Sequence, residues 1–367
     1  MKNLSLLLVS GVSASALQLL ANFFLYKQFS GAEFEAFYAL LLLSASIRPL
    51  ATLKMEAALF RNTKTIRVFC FVLCLATVVS LGVGLSGWLL SRESLTQIAC
   101  IIWATALNEV LEMFLVKQKR VRAVSAIRIT RPLFLIFLAY LSLEQYLDRD
   151  LIVLFFLSYI PGTVAGLLML RKFLCYLPSL KIQDGFEIFK GEYALLIYNV
   201  PAAMGVGFAQ FTVFQEFTNR VSSEMGAQAA IISRFVDAGT NIFIPNLRLY
   251  LLRFVELSRY HLFVSWWFSF TLASLLILIS VSPASVFIQF FAVLSLFGLM
   301  RALVTVFGTF AYQKRKDYFV LLDAGALFGF AWFSAFYVQI GNPLMLFLYP
   351  LSSAIICLAL YFYLRKL

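Results

Sequence analysis

Apolar residues run along this chain in windows of about 20, the length a helix needs to cross the roughly 30 Å hydrocarbon core of a bilayer at about 1.5 Å per residue. Taken in order, the windows predict about twelve spans, at 4–26, 35–53, 68–90, 98–116, 123–143, 151–170, 195–217, 227–245, 262–280, 284–303, 318–340 and 343–363. The predicted fold class is therefore all-α, a polytopic membrane protein. Two windows are interrupted by charge. Arg128 and Arg131 fall in the first half of the fifth, and Arg234 and Asp237 fall in the eighth beside Thr240 and Asn241.

The polar breaks carry the orientation. With the N-terminus in the cytoplasm, the opposite side receives only Lys27, Arg92, Arg149 and Arg220, and Arg48, Arg234 and Arg301 lie inside spans. The remainder of the thirty Lys and Arg collect on the cytoplasmic side, as the positive-inside rule requires. An odd number of spans would scramble this bias, so both termini are expected in the cytoplasm. Hydrophobic residues at 62% and charged residues at 13% leave no water-soluble fold that could bury so much apolar surface. The net charge of +12 is spread over short cytoplasmic segments and does not form one patch, so no nucleic-acid partner is expected. Five Cys without metal-ligand spacing and a single His, His261, give no reason to expect a metal or other cofactor. The first apolar stretch has an n-region of one Lys and no small-residue cleavage site, and reads as a retained span.

The longest polar loop, from Arg171 to about Tyr193, divides the chain almost equally into a six-helix lobe at 1–180 and a second at 181–367 around a central cavity. A faint repeat accompanies the division. EFEAFYALL, starting at Glu33, opens the second span, and EMGAQAAII, starting at Glu224, opens the eighth, as parallel transporter repeats would produce.

Charge inside a span costs about 2.5–3.5 kcal/mol at its centre, so each such residue is a functional candidate. Arg301 lies near a cytoplasmic end and can snorkel, and Arg48 nearly can. Arg234 is deeper, with Asp237 at i+3, and its planar fork suits phosphate oxygens if the pair faces a water-filled cavity. In the fourth span Asn108, Glu109 and Glu112 share one face, with Lys119 and Arg120 just beyond. Glu112 reads as an end-cap ion pair. Glu109, a turn deeper, and Asp323 in the eleventh span are candidates for a proton or cation site or for interhelical pairs. Asn199, Pro201 and Gly205 mark the seventh span as one that bends, with Pro201 the hinge candidate.

The stretch GAEFEAFYALLLLSASIRPLATLKMEAALF at 31–60 resembles the second-span region of bacterial polysaccharide flippases of the Wzx type. In that family an EFG-Y-like turn precedes a span ending in a TLRLE-A-like sequence, here Thr52, Leu53, Lys54, Met55, Glu56 and Ala58. SSEMGAQAAIISRFVDAGTNIFIP resembles the same family's stretch after the seventh span, with Arg234 and Pro245 on its usual Arg and Pro. Glu35 and Ala36 stand where the family turn has Gly. The resemblance implies a member of the multidrug/oligosaccharidyl-lipid/polysaccharide exporter (MOP) superfamily, a flippase and not an enzyme. It would move an undecaprenyl-diphosphate-linked oligosaccharide to the outer leaflet for O-antigen, lipopolysaccharide or other surface polysaccharide synthesis. Arg234 and Arg48 would meet the diphosphate, and the partners implied are membrane lipids and a polysaccharide polymerase complex. A cation-coupled multidrug exporter of the same fold is the alternative, but it would want an acidic cavity, and the first span has no Asp or Glu. A glycosyltransferase would want a large outer loop, which the chain lacks.

Overall fold

A computed structural model describes residues 2–55, 58–61, 65–143, 150–179, 181–219, 222–228 and 230–231, with isolated short stretches between 307 and 363. All regular structure among these residues is helical. Six long helices realise the first six predicted spans: α1 (Lys2–Gln28), α2 (Gly31–Thr52), α4 (Thr65–Leu89), α5 (Glu93–Lys117), α6 (Val121–Leu143) and α7 (Leu151–Met169). Short helices α3 (Ala58–Arg61) and α8 (Arg171–Leu174) sit at the ends that the charge pattern makes cytoplasmic. The seventh span is α10 (Val200–Thr218), entered through a π-helical turn at Leu195–Asn199. Among the described residues, seven helices are long and apolar enough to cross a membrane. The chain is a multi-pass membrane protein. The eighth span enters as helix at 223–228 and 230–231; the rest of it, and the four later spans apart from isolated stretches from 318 onward, lie outside the described residues.

Local chemistry sets the helix ends. Ser30 caps α2 by accepting the Glu33 N–H at 3.3 Å, and the Glu33 carboxylate accepts the Ser30 N–H at 2.9 Å, closing a capping box. Leu53 and Lys54, at φ 49° and 54°, turn left-handed and stop the helix. The Asp150 carboxylate accepts the Ile152 and Val153 N–H groups at the start of α7, at 2.7 and 3.3 Å.

In the first lobe α1 lies along α6, α4 along α5, and α7 fills the angle between α5 and α6. Small residues permit the last contact. Gly162 and Gly166 stand one turn apart on α7, and a Cβ at either would meet Ile127 at 3.3 or 3.2 Å. Toward the outer ends Phe34, Phe37, Leu154 and Phe155 form one apolar cluster. Toward the cytoplasm Met55, Leu59, Leu111 and a stacked pair, Phe69 on Phe114 at 4.0 Å, form another.

The segment expected to be a polar loop is structured. After a 3-10 turn at Leu177–Ser179 comes α9 (Ile182–Gly191), docked on α4. Arg67 donates to Asp184 at 2.6 Å, Phe189 meets Phe71 edge-on at 5.0 Å, and Gly185 lets the backbone approach the Phe71 ring. Ten residues with a central glycine and three charges are too few to hold a helix alone, although their apolar residues recur at helical spacing, and packing on α4 supplies what propensity does not. Thus α9, numbered with the second lobe at 181–367, packs on the first.

Candidate functional site

The fourth predicted span is α5, and its three polar residues fan out to three different neighbours. Asn108, buried, turns toward α7, where a Cβ at Gly162 would lie 3.9 Å from Asn108 Oδ1. Glu109 reaches α2, where Arg48 Nε lies 3.4 Å from Glu109 Oε2. Glu112 reaches α6, accepting from Arg128 Nε at 2.8 Å. Sequence spacing put these side chains on one face. That face is wide enough to meet three helices, because α5 is the most enclosed of the candidate spans, with 67% of its apolar window buried. Glu112 therefore pairs into the membrane with Arg128 and is not an end cap for Lys119 or Arg120. Arg120 instead donates to the Met169 carbonyl at 2.9 Å, satisfying the last turn of α7.

The two ion pairs differ in quality. Arg128 with Glu112 has hydrogen-bond geometry, and its side chains are 19% and 22% exposed. Arg48 with Glu109 is longer and more accessible, at 33% and 25%. Arg48 lies about 6 Å inside the cytoplasmic end of α2, and Glu109 about 12 Å inside that of α5. Charged groups at such depth are costly against hydrocarbon, and pairing across α2 and α5 lowers that cost.

Arg131 is the residue the sequence reading left among the cytoplasmic bases. Because α6 begins at Val121, Arg131 sits about 15 Å into the helix, near mid-membrane. Its guanidinium lies 3.8 Å from the ring centroid of Tyr159 and 5.0 Å from that of Phe155, a cation held by π faces. A signal was available. Arg48-Pro49 and Arg131-Pro132 are the same dipeptide in the interiors of α2 and α6. Each proline removes the N–H that would bond the carbonyl four residues earlier, at Ala45 and Arg128.

Truncating the tight pair tests which is structural. Arg128→Ala leaves the Glu112 carboxylate desolvated and is expected to cost on the order of 2 kcal/mol, read as a lowered Tm of the detergent-solubilised protein. The double variant Arg128→Gln/Glu112→Gln, which strands no charge, should lose less.

Pro201 is the second residue of α10, exposed, directly after the π-helical turn at Leu195–Asn199. Lacking an N–H, Pro201 leaves a carbonyl in that wider turn without its intrahelical donor. Gly207, farther along α10, makes the tightest approach to α2. A Cβ there would fall 2.6 Å from Ser46 Cα. Arg234, Asp237 and Asp323 lie outside the described residues.

No protein-family model and no curated protein matches the chain. Solved structures do match, over its whole length. The lipid II flippase MurJ in an inward closed conformation superposes with TM-score 0.59 at 9% identity, covering 99% of this chain and 87% of the other. MATE in the straight conformation gives 0.55 at 12%, covering 99% and 94%. A MOP superfamily transporter from Pyrococcus furiosus, described by a binding pocket of reversed polarity, gives 0.56 at 10%, covering 100% and 95%. The chain has the fold of the MOP transporters. At such identities the likeness shows the fold alone.

Proposed function

We propose that this chain is a flippase that carries a lipid-linked oligosaccharide, joined through a diphosphate to undecaprenol, across the bacterial inner membrane by alternating access. The observation that carries this reading is the accessible Arg48–Glu109 pair in the cytoplasmic half of the first lobe. A guanidinium offers diphosphate oxygens two parallel N–H donors, and the Glu109 carboxylate occupies that position as a tethered anion. Incoming diphosphate displaces Glu109 from Arg48, and the released carboxylate takes up a proton or cation. Binding and an energy source are thereby linked at one site, with Arg234 completing the cation set from the second lobe and Asp237 and Asp323 as further coupling groups. Pro201 and the π-helical turn before it give α10 a place to bend. The prenyl tail stays in lipid, and no covalent chemistry takes place. The fold itself does not set the charge of the pocket, since one similar transporter is described by reversed polarity. Basic residues do.

The test is a deletion strain, analysed for lipid-linked oligosaccharide beside its surface polysaccharide. Undecaprenyl-linked repeat units should accumulate while surface polymer disappears, both restored by the gene. Unchanged surface polymer with no accumulated intermediate, in a strain without a second flippase, would overturn the reading. Heightened drug sensitivity in that strain would instead assign the fold to small-molecule export.

A further inference from the structure

The two echoed segments, which sequence places at equivalent points of the two halves, touch each other. A Cβ at Gly31 would lie 3.2 Å from the Ser223 carbonyl and 3.3 Å from Glu224 Cα, and a Cβ at Gly226 would overlap the Glu35 carboxylate. Both helix starts are serine-capped, Ser30 accepting from the Glu33 N–H and Ser222 from the Met225 N–H at 3.4 Å. Glu33 aligns with Glu224 in the echoed motif and Ser30 with Ser222 at the caps, offsets that differ by one residue. Under the first, Glu35 and Gly226 are equivalents, and under the second Gly31 and Ser223 are. Either way an element meets its own counterpart, which is how a contact on a twofold-like axis is built.

The contact is sealed below. The Thr218 hydroxyl, 3.1 Å from the Gln215 carbonyl, is also within hydrogen-bond reach of the Glu35 carboxylate. One turn deeper Tyr38 and Phe214 meet edge-on at 4.8 Å, with Tyr38 only 3% exposed. By the charge pattern these are the outer ends of α2 and α10.

We propose that the helix starts at 31–35 and 223–226 are the outer gate of this transporter, a pseudo-twofold contact latched by Glu35, with Gly226 leaving the room that carboxylate needs. The assignment rests on the transport reading above and adds its gate. A side chain at one of the two positions can cross the axis only if the other has none, so Glu and Gly form a matched pair.

The experiment uses the full chain with Cys70, Cys74, Cys100, Cys175 and Cys357 replaced, in membranes. The pair Gly31→Cys/Glu224→Cys should cross-link on mild oxidation, as should a control pair within the first lobe, Gly84→Cys/Ala99→Cys, where a Cβ at Gly84 would meet that of Ala99 at 3.5 Å. With Tyr38→Cys as reporter, labelling from outside by an impermeant maleimide should be low, lower still when the gate is cross-linked, and raised several-fold by Gly226→Leu. Failure of the gate pair to cross-link while the control does, or labelling of Tyr38→Cys indifferent to both changes, would overturn the gate. None of these readouts needs a substrate. A gate that behaves as described in a protein whose deletion leaves lipid-linked oligosaccharide unchanged would sink the cargo assignment alone.

Discussion

Arg48→Ala is expected to reduce surface polysaccharide to the level of the deletion strain while leaving protein in the membrane. The side chain is 33% exposed, so water can fill the space that truncation opens, and its partner Glu109, 25% exposed, can still reach water or a proton. On the proposed function, what is lost is the bidentate donor for the diphosphate. Arg48→Lys should retain a small fraction of export, since an ammonium supplies charge without the fork. The informative variant is the swap Arg48→Glu/Glu109→Arg. If the pair only holds α2 against α5, the swap keeps membrane yield and restores export. If Arg48 is where diphosphate docks, the swap keeps the yield and leaves export absent, because the cation has moved to another helix, about 6 Å deeper by its distance from the cytoplasmic end. Full export from the swapped protein would reduce Arg48 to a structural role.

Much of this arrangement is invisible along the chain, for a definable reason. The first seven spans are legible because an apolar window of membrane length is a one-dimensional property, and all seven appear as helices with ends displaced by a few residues. That Arg48 and Glu109 belong together is a matter of rotation. Each had to be turned toward the other by packing of α2 on α5, and no local pattern encodes that angle. Arg131 was lost for a different reason. Its place in the first half of the fifth window was visible, but a cytoplasmic base there also satisfies the charge asymmetry, and only the helix start at Val121 gives its depth. The α9 helix escaped because its stability is borrowed from Phe71 and Arg67, more than a hundred residues earlier.

Gly207→Leu should have the second large effect. A side chain here cannot be relieved by a rotamer change in its neighbour, because the atom it meets is Ser46 Cα, with Ser46 Oγ at 2.8 Å and Cβ at 3.0 Å. The helices α2 and α10 must separate. Overpacking of this kind costs about 3 kcal/mol at the upper end of its usual range, which at 1.4 kcal/mol per decade lowers the closed population relative to the open by about a hundredfold. Export should fall accordingly, and outside labelling of Tyr38→Cys should rise as it does for Gly226→Leu. Gly207→Ala should show the same direction at smaller amplitude. Wild-type export from Gly207→Leu would mean that the two helices part at this level without cost.

The docking of α9 on α4 sets how far the halves can travel. Residues 171–191 are tied to the first lobe at both the Arg67–Asp184 pair and the Phe71–Phe189 contact, so the free tether is not the twenty-odd residues between the sixth and seventh spans. It is the short stretch from Gly191 to the π-helical turn. A tether of three residues, Glu192 to Ala194, reaches at most about 14 Å when fully drawn out, and less while part of it stays coiled. A gene split just after Gly191 should therefore give two fragments that each keep their own packing partners, whereas a split at 180 would strip α9 from the lobe it leans on and leave the Phe71 ring uncovered.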